Sequence, residues 1–329
     1  MARTHIGIIG LGAYVPERVM PNHEWAEWVD TSDEWITSRT GIKTRRVASS
    51  EQSTVDLAET AARRALDDAG LAVEDIDEII VATDTPEVYL PDTASYLQTR
   101  LGAREVPAFD MAGSGCAGFV FGLDIARSRA MMGGRRVLLV GVELLTRLMN
   151  WRDRTTCVLF GDAAGAVVVG PGEGAVEVLS CTAGTDGSRA EILCLETGGS
   201  RRPFTLKAAQ RGEHQNIVMM GREVFKEAVS RMGSAARQVL DEAGVSVDQL
   251  KLVVPHQANL RIIKAVQKSL GVDDETMFVN VQNYGNTGSA SVPLGLWEAR
   301  AQGRIGPGDL VLLTAFGAGF HWAAALLRF

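Results

Sequence analysis

Three side chains that could carry out covalent or proton-transfer chemistry stand where apolar, strand-like runs of the sequence end: Cys116, His256 and Asn286. Cys116 follows residues 106–111 and a glycine-rich turn, and it begins the apolar segment CAGFVFGLDIARS. At a helix N-terminus the macrodipole favours a thiolate, and the backbone N–H of Cys116 is available to stabilise an oxyanion. The pattern predicts that Cys116 is a covalent nucleophile rather than an inert buried thiol.

His256 and Asn286 could supply two hydrogen-bond donors. His256 lies in VVPHQANLRI, where a buried strand ends and a helix begins, and it could act as a base or as a neutral donor. Asn286 lies in NYGNTGSAS, and its amide donates without titrating. Together they form an uncharged donor pair suited to a developing enolate or oxyanion. Taken singly, His256 could be satisfied by local backbone and Asn286 could simply hold a tight turn.

An internal repeat predicts how the chain brings these residues together. LDDAGLAVEDIDEII (66–80) aligns without gaps with LDEAGVSVDQLKLVV (240–254), and each reads as a helix end, a glycine stop and a buried strand. In a second pair of similar segments, DMAGSGCAGF aligns with NVQNYGNTGS, which makes Cys116 and Asn286 counterparts. Because working residues collect at the carboxyl ends of parallel strands, the repeat predicts one shared site.

The repeat also predicts the fold class. The same order of strands and helices occurs twice with short connections, which predicts an α/β protein with largely parallel, buried sheets covered by helices. We expect two halves, residues 1–175 and residues 176–329, packed about a pseudo-twofold axis. The least regular stretch, residues 196–216, is interpreted as an excursion from the second half.

The composition is that of an ordinary globular protein, with 46% hydrophobic and 22% charged residues and a formal net charge of -7. An acidic chain has no general attraction for nucleic acid or anionic membrane, and no long apolar run predicts a membrane span. The N-terminal apolar run predicts a first strand, not a signal peptide. Without a CxxC pair, the cysteines predict neither disulfides nor zinc and fit a reduced, cytoplasmic setting. Three of them are interpreted as inert: Cys157, Cys181 and Cys194.

Basic residues cluster in this acidic chain and allow two interpretations. They could be solvated helix faces, or they could form a patch for phosphate or an acidic carrier protein. The clustered residues are Arg39, Lys43, Arg45 and Arg46 in one run, Arg261, Lys264 and Lys268 on one predicted helix face, and Lys226 on another helix.

Six segments, in order along essentially the whole chain, resemble the beta-ketoacyl-acyl-carrier-protein synthase III family of thiolase-like condensing enzymes. They are TSDEWITSRTGIKTRR, GCAGF, LFGDAAGA, PHQANLRI, YGNTGSASVP and AFGAGFHWAAALLRF. The resemblance implies a thiolase-like duplicated fold with five layers, αβαβα, assembled as a homodimer. It also implies an enzyme that uses no metal and no other cofactor.

The activity implied by the resemblance is acyl transfer. Such an enzyme joins an acyl-CoA primer to malonyl-acyl-carrier protein by decarboxylative Claisen condensation, the step that initiates fatty acid synthesis. Cys116 would take the acyl group, and the backbone N–H groups of Cys116 and Ala318 would form the oxyanion hole. His256 and Asn286 would bind the malonyl thioester oxygen as CO₂ leaves, in ping-pong covalent catalysis.

The resemblance further implies binding residues, which fall into three groups. These are Trp35 and Arg154 around the CoA adenine with Arg39 and Asn259 as further CoA contacts, Lys226 and Arg261 for the acyl carrier protein, and Leu90 at the far wall of the acyl pocket. Because some family members carry Phe in place of Leu90, the smaller side chain could admit a longer or branched primer. Ala318 replaces the middle glycine of a triple-glycine turn, so its backbone donor survives only if φ stays negative.

Several other activities are weighed against this one. The runner-up is a thiolase-fold acyltransferase or a polyketide starter-unit condensing enzyme with the same three residues. A thiolase would carry a second cysteine in residues 316–320, which contain none. A nicotinamide-dependent oxidoreductase is disfavoured because GLGAY is an incomplete dinucleotide fingerprint. A non-catalytic partner is disfavoured by the presence of Cys116.

Overall fold

A computed structural model describes residues 6–213 and 217–329. The first half of the chain contains β1 (Ile6–Tyr14), β2 (Arg18–Pro21), α1 (Asp33–Thr40), β3 (Thr44–Val47), α2 (Thr54–Ala69), β4 (Glu78–Ala82), α3 (Thr93–Leu101), β5 (Ala108–Met111), α4 (Gly118–Met131), β6 (Val137–Leu144) and β7 (Asp162–Pro171). The second half contains β8 (Val176–Thr185), β9 (Leu193–Leu195), α5 (Leu206–Gln210), β10 (Ile217–Met219), α6 (Gly221–Ala243), β11 (Leu252–Pro255), α7 (Leu260–Leu270), α8 (Val281–Tyr284), α9 (Ser291–Ala301), β12 (Leu310–Gly317) and β13 (His321–Arg328).

One mixed sheet joins the two halves in the order β11-β12-β13-β8-β1-β7-β6-β4-β5. Outward from the central β8–β1 pair, corresponding strands follow in the same order: β13 and β7, then β12 and β6, then β11 and β4. The pairs β11–β12 and β4–β6 are both parallel, and the pairs β12–β13 and β6–β7 are both antiparallel. The sheet therefore repeats the same topology on each side of its centre.

Alternating side chains on the strands divide the core into layers. Ile79 and Val81 of β4 pack in a cluster with α2 and α3, whereas Ile80 points to the opposite face, toward α4 and α9. On the other side of α4 and α9, Val254 of β11 packs in that same central cluster, whereas Val253 faces α6 and α7. The layers are thus helices, strands, helices, strands, helices, which confirms the predicted five-layer α/β arrangement with two pseudo-symmetric halves.

The first repeated segment forms the same structure twice. Helices α2 and α6 both end before a glycine in the left-handed conformation, Gly70 with φ 63° and Gly244 with φ 65°. A 3-10 turn follows each glycine and leads into β4 or β11. Glycine suits these positions because it adopts positive φ without steric cost. The division of the chain at residue 175 stays a prediction.

The second repeated segment has a different register from the one predicted. The 3-10 turns Gly115–Ala117 and Gly288–Ala290 lead into α4 and α9, and their first glycines have φ 57° and 55°. The structural counterpart of Cys116 is therefore Ser289, and not Asn286. The error arose because glycines recur in both segments, so two registers three residues apart match almost equally well.

Two kinds of feature are not found among residues 6–213 and 217–329. No helix there combines the length and the apolar character needed to span a bilayer. No group of three or more His, Cys, Asp or Glu side chains there is arranged to hold a metal ion.

Candidate active site

Cys116, His256 and Asn286 line one cavity of about 1150 Å³. Cys116 lies in the 3-10 turn before α4, His256 follows β11, and Asn286 follows α8. The Sγ atom of Cys116 lies 3.9 Å from Oδ1 of Asn286. His256 and Asn286 are buried, with 3% and 8% of their surface exposed, and Cys116 is half-buried. The structure thus brings the three residues to one place.

Backbone contacts fix Asn286 on both sides. Its N–H donates to the carbonyl of Leu159 at 2.8 Å, and its carbonyl accepts the N–H of Gly161 at 3.0 Å. Its side-chain oxygen accepts the N–H of Gly288 at 2.9 Å. The Asn286 amide nitrogen is therefore the side-chain atom that remains to donate a hydrogen bond to a ligand.

His256 is a neutral imidazole in this structure. Its backbone N–H donates to Thr314 O at 2.8 Å, which extends the β11–β12 pairing by one residue. Its Nδ1 lies 2.6 Å from Ser291 Oγ, so Nε2 is the ring atom left for the cavity. Burial lowers the pKa of His256 to about 3. An uncharged His256 can donate a hydrogen bond through Nε2–H when the Ser291 hydroxyl donates to Nδ1.

The electrostatic surroundings of Cys116 oppose the thiolate that its helix position favours. Burial raises the pKa of the Cys116 thiol well above its ordinary value, and the carboxyl groups of Asp84 and Glu143 raise it further. The hydrogen bond with Asn286 acts in the opposite direction. Cys116 is therefore a thiol in the free protein, which differs from the expectation based on the helix macrodipole alone.

Asp84 and Glu143 are cavity residues that the sequence reasoning missed. Glu143 accepts hydrogen bonds from Thr85 Oγ1 at 2.9 Å and Ser289 Oγ at 3.0 Å. Burial raises the pKa of both carboxyl groups, and the charge of Asp84 adds to the rise at Glu143. Asp84 follows β4 and Glu143 lies near the end of β6, so the argument from strand ends that selected Cys116 could also have found them.

The turn that contains Ala318 lies against the nucleophile. A Cβ atom added to Gly317 would lie 2.3 Å from Cys116 N, and one added to Gly115 would lie 2.5 Å from Ala318 N. Positive φ angles in this turn occur at Gly319 (73°) and at Phe320 (53°), and not at Ala318. The condition set for the Ala318 donor, a negative φ, is therefore met.

The residues expected to bind CoA occupy one exposed end of the cavity. Trp35, Arg39 and Asn259 line it, and Asn259 also caps α7 by accepting the Arg261 N–H at 2.8 Å. The guanidinium carbon of Arg154 lies 4.8 Å from the centre of the Trp35 ring. Trp35 and Arg154 thus stack directly on each other, and a planar ring enters between them only if they separate to about 7 Å.

The two residues expected to bind an acyl carrier protein are exposed on neighbouring helices. Lys226 lies on α6 and Arg261 on α7, and Arg261 also lines the cavity. Neither forms an ion pair with any residue in the described ranges, whereas Lys264 pairs with Asp274 at 2.6 Å. Lys226 and Arg261 therefore carry exposed positive charges that no carboxylate of the described ranges pairs with.

Leu90, which the resemblance places at the far wall of the acyl pocket, lies at an exposed loop tip in the isolated chain. Its side chain is 85% exposed, and it is not among the residues that line the cavity of this chain. The loop after β4 is held at its base, where Thr85 bonds to Glu143 and the Glu87 N–H donates to Thr93 Oγ1. Its tip therefore projects into solvent in the isolated chain, and the effect of Leu90 on primer length stays a prediction.

The irregular segment 196–216 contributes to the cavity wall through Thr197, Gly198 and Phe204. Residues 214–216 of this segment lie outside the described residues. The neighbouring short strands β9 and β10 also contribute apolar side chains, including Leu193 and Ile217. The sequence showed that this segment departs from the repeat but carried no sign of its part in the site.

Comparisons with known proteins agree on one family. Residues 109–187 match the family described as 3-oxoacyl-[acyl-carrier-protein (ACP)] synthase III, and residues 240–329 match its C-terminal counterpart. A protein named beta-ketoacyl-[acyl-carrier-protein] synthase III from Caldanaerobacter subterraneus subsp. tengcongensis is 46% identical over 323 residues, covering 98% of this chain and 97% of the relative.

Solved structures give the same result and confirm the thiolase-like fold. The crystal structure of 3-oxoacyl-[acyl-carrier-protein] synthase III from Aquifex aeolicus is 44% identical with a TM-score of 0.90, covering 98% of this chain and 100% of that one. The priming beta-ketosynthase of the R1128 polyketide pathway is 36% identical with a TM-score of 0.89, covering 99% and 97%. The chain therefore belongs to the beta-ketoacyl-acyl-carrier-protein synthase III family.

Proposed function

We propose that this protein is an acyltransferase that condenses an acyl-CoA primer with malonyl-acyl-carrier protein. The products are 3-oxoacyl-acyl-carrier protein, CoA and CO₂, and the reaction initiates fatty acid synthesis. The observation that carries this proposal is the meeting of a thiol, a neutral imidazole and a carboxamide in one large cavity. Covalent transfer needs the first of these groups, and stabilisation of an enolate needs the other two.

In the first half-reaction the Cys116 sulfur attacks the acyl-CoA carbonyl carbon. The N–H groups of Cys116 and Ala318, whose turns touch each other, support the negative oxygen of the tetrahedral intermediate. The carbon–sulfur bond to CoA then breaks, and the thiol proton leaves with CoA as its SH group. The raised pKa of the resting thiol opposes loss of its proton in the free protein.

In the second half-reaction the malonyl thioester oxygen accepts hydrogen bonds from His256 Nε2–H and the Asn286 amide. Loss of CO₂ places an electron pair on the thioester α-carbon as an enolate, which the two uncharged donors stabilise. That carbon attacks the acyl-Cys116 carbonyl, and the carbon–sulfur bond to Cys116 breaks. The sulfur then takes up one proton from solvent, which restores the thiol.

The partners follow from the surfaces around the cavity. Trp35, Arg39, Arg154 and Asn259 support binding of CoA, and the unpaired charges of Lys226 and Arg261 support docking of an acidic carrier protein. An apolar loop tip, with Tyr89 and Leu90 each 85% exposed, supports a homodimer that covers it. We place the enzyme in the cytoplasm, with its nucleophile in the half 1–175 and its two donors in the half 176–329.

The experiment that tests this function measures 3-oxoacyl-carrier protein and CO₂ independently of each other. The protein is mixed with acetyl-CoA and malonyl-acyl-carrier protein, and 3-oxoacyl-carrier protein is detected by mass while CO₂ release is followed. We expect both products in equal amounts from the wild type and from Cys157→Ala. From Cys116→Ala we expect no 3-oxoacyl product, and any CO₂ that it releases comes from decarboxylation alone, because His256 and Asn286 are still present. CO₂ release without a 3-oxoacyl product from the wild type would reduce the activity to decarboxylation and contradict condensation.

A second candidate is the priming of a polyketide synthase. The observation that favours it is the 36% identity with the priming beta-ketosynthase of the R1128 polyketide pathway. The two functions differ in the carrier protein that they require. Condensation with a polyketide carrier protein at a kcat/KM well above that for a fatty acid carrier protein would support the second candidate.

A further inference from the structure

Arg45 is a fully buried arginine beside the candidate site, although the sequence grouped it with surface basic residues. It is 0% exposed, and its guanidinium carbon lies 5.5 Å from the centre of the Trp25 ring. Its Nη2 donates to the Val158 carbonyl at 2.7 Å, and its Nη1 donates to Asn22 Oδ1 at 2.8 Å. Burial lowers the pKa of Arg45 to about 10, so the guanidinium stays charged at neutral pH. The predicted role of Arg45 in a surface patch is therefore wrong.

The segment that Arg45 holds is the one that fixes Asn286. We call residues 158–161 the strap. Arg45 binds the carbonyl of its first residue, and the next carbonyl, that of Leu159, accepts the Asn286 N–H at 2.8 Å. The last residue of the strap, Gly161, donates its N–H to the Asn286 carbonyl at 3.0 Å. Arg45 is thus one peptide unit away from the backbone bonds that place the Asn286 side chain.

The strap packs tightly on the side that faces Arg45 and the turn before Asn286. A Cβ atom added to Gly161 would lie 2.2 Å from the Tyr284 carbonyl oxygen and 3.1 Å from Arg45 Cβ. One added to Gly285 would lie 2.7 Å from the Leu159 carbonyl oxygen and 3.6 Å from Arg45 Cβ. The aliphatic part of Arg45 therefore packs against both the strap and the turn that precedes Asn286, and a change in its position is transmitted to both.

The segment around β3 also holds the helix on the other side of this turn. The Lys43 N–H donates to the Gln282 carbonyl, and Thr44 Oγ1 donates to the Asn283 carbonyl, each at 2.9 Å. Both carbonyls belong to α8, which ends directly before Gly285 and Asn286. Arg45 follows these two residues in the chain. Residues 43–45 therefore bind the backbone on both sides of Asn286, at α8 and at the strap.

We propose that Arg45 is a positioning residue for Asn286, acting through the strap, and that it governs malonyl decarboxylation far more than acylation of Cys116. The inference rests on the proposed function for its kinetic test. In the described ranges Arg45 forms no hydrogen bond with the turns that contain Cys116 and Ala318. Its route to the thiol is the long contact of 3.9 Å between Cys116 Sγ and Asn286 Oδ1, so acylation should change far less than decarboxylation. Displacement of a catalytic donor by about 1 Å costs roughly a hundred-fold in rate.

The kinetic test measures the two half-reactions separately in Arg45→Met, Arg45→Lys and Gly161→Ala. Acylation is followed by intact mass with acetyl-CoA, the smallest primer, because Phe160 of the strap also lines the cavity. Decarboxylation is followed with malonyl-CoA. Leu57→Ala, a core change in α2, is the control for lost stability. We expect decarboxylation to fall about ten- to hundred-fold and acylation at most about two-fold, with partial recovery in Arg45→Lys.

A second measurement does not depend on activity. Hydrogen–deuterium exchange should rise in peptides covering the strap and residues 284–288 in Arg45→Met, but not in the peptide covering residues 315–320. Parallel loss of both half-reactions, as in a merely destabilised protein, would overturn the proposal, and so would unchanged exchange around Asn286. A wild type that lacks both half-reactions contradicts the proposed function, and the exchange result then decides the role of Arg45 by itself.

Discussion

Cys116 Sγ lies 3.9 Å from Asn286 Oδ1, although 170 residues separate the two in the chain. Because that oxygen also accepts the Gly288 N–H at 2.9 Å, the amide nitrogen of Asn286 is the atom directed to a ligand. The sulfur that would carry the acyl group and the amide that would bind the malonyl thioester are thus neighbours. This proximity brings two thioesters close enough for a carbon–carbon bond to form between them.

Because His256 is buried and neutral, the free energy of unfolding of the protein should fall as the pH is lowered into the acid range. Because burial lowers the pKa of His256 to about 3 from an ordinary 6.5, the unfolded chain binds a proton between these values and the native protein does not. The contribution of His256 to the free energy of unfolding is present above pH 6.5 and is lost as the pH falls. The loss is about 2 kcal/mol between pH 6.5 and pH 5. Urea unfolding at both pH values should show this loss in the wild type beyond any loss in His256→Gln. Equal losses would mean that His256 titrates normally.

The Ser291 hydroxyl should determine which nitrogen of His256 carries the proton. Ser291→Ala removes the partner 2.6 Å from Nδ1, so the proton is no longer directed to Nε2. We expect decarboxylation of malonyl-CoA to slow about ten-fold, the effect of one lost buried hydrogen bond, while acylation of Cys116 is unchanged. Ser234→Ala, on the exposed face of α6, serves as the control. A decline in acylation equal to that in decarboxylation would contradict this role.

The stack of Arg154 on Trp35 should matter only for substrates that carry the nucleotide part of CoA. Arg154→Ala removes one face of the proposed adenine site, and we expect the KM for acetyl-CoA to rise about three- to ten-fold with little change in kcat. With acetyl-pantetheine, which lacks adenine, the variant should match the wild type. Arg152→Ala is the control for loss of a nearby exposed positive charge. Equal effects on both substrates would place Arg154 elsewhere in the reaction.

Lys226 and Arg261 should attract the carrier protein and not the malonyl group. In Lys226→Glu and Arg261→Glu we expect kcat/KM for malonyl-acyl-carrier protein to fall about ten-fold or more at low salt, and the difference to shrink at high salt. Activity with malonyl-CoA should stay within about two-fold of the wild type. Lys251→Glu, at the opposite end of β11 from the site, should behave like the wild type. An equal fall in kcat/KM at low and at high salt would argue against electrostatic docking.

Much of the fold follows from local patterns in the sequence. The helix end, the glycine and the buried strand that occur at Gly70 and again at Gly244 are short-range signals, and they predicted the repeat that the structure confirms. The argument from strand ends also brought Cys116 and His256 to the same edge. These predictions succeed because each depends on residues that are close in the sequence.

The errors involve contacts between residues far apart in the chain. The register that paired Cys116 with Asn286 was wrong because glycine-rich segments match in more than one way. Arg45 read as a surface charge because its partner, the Val158 carbonyl, is 113 residues away, and no periodic pattern marks such a bond.

The most direct test of the account is the intact mass of the protein after mixing with acetyl-CoA, butyryl-CoA and octanoyl-CoA, beside Cys116→Ala. We predict a gain of one acyl group in the wild type, no gain in Cys116→Ala, and loss of that group when malonyl-acyl-carrier protein is added. The CoA that labels most completely identifies the primer class. The absence of an adduct with every acyl-CoA, or an adduct that persists in Cys116→Ala, would contradict Cys116 as the nucleophile.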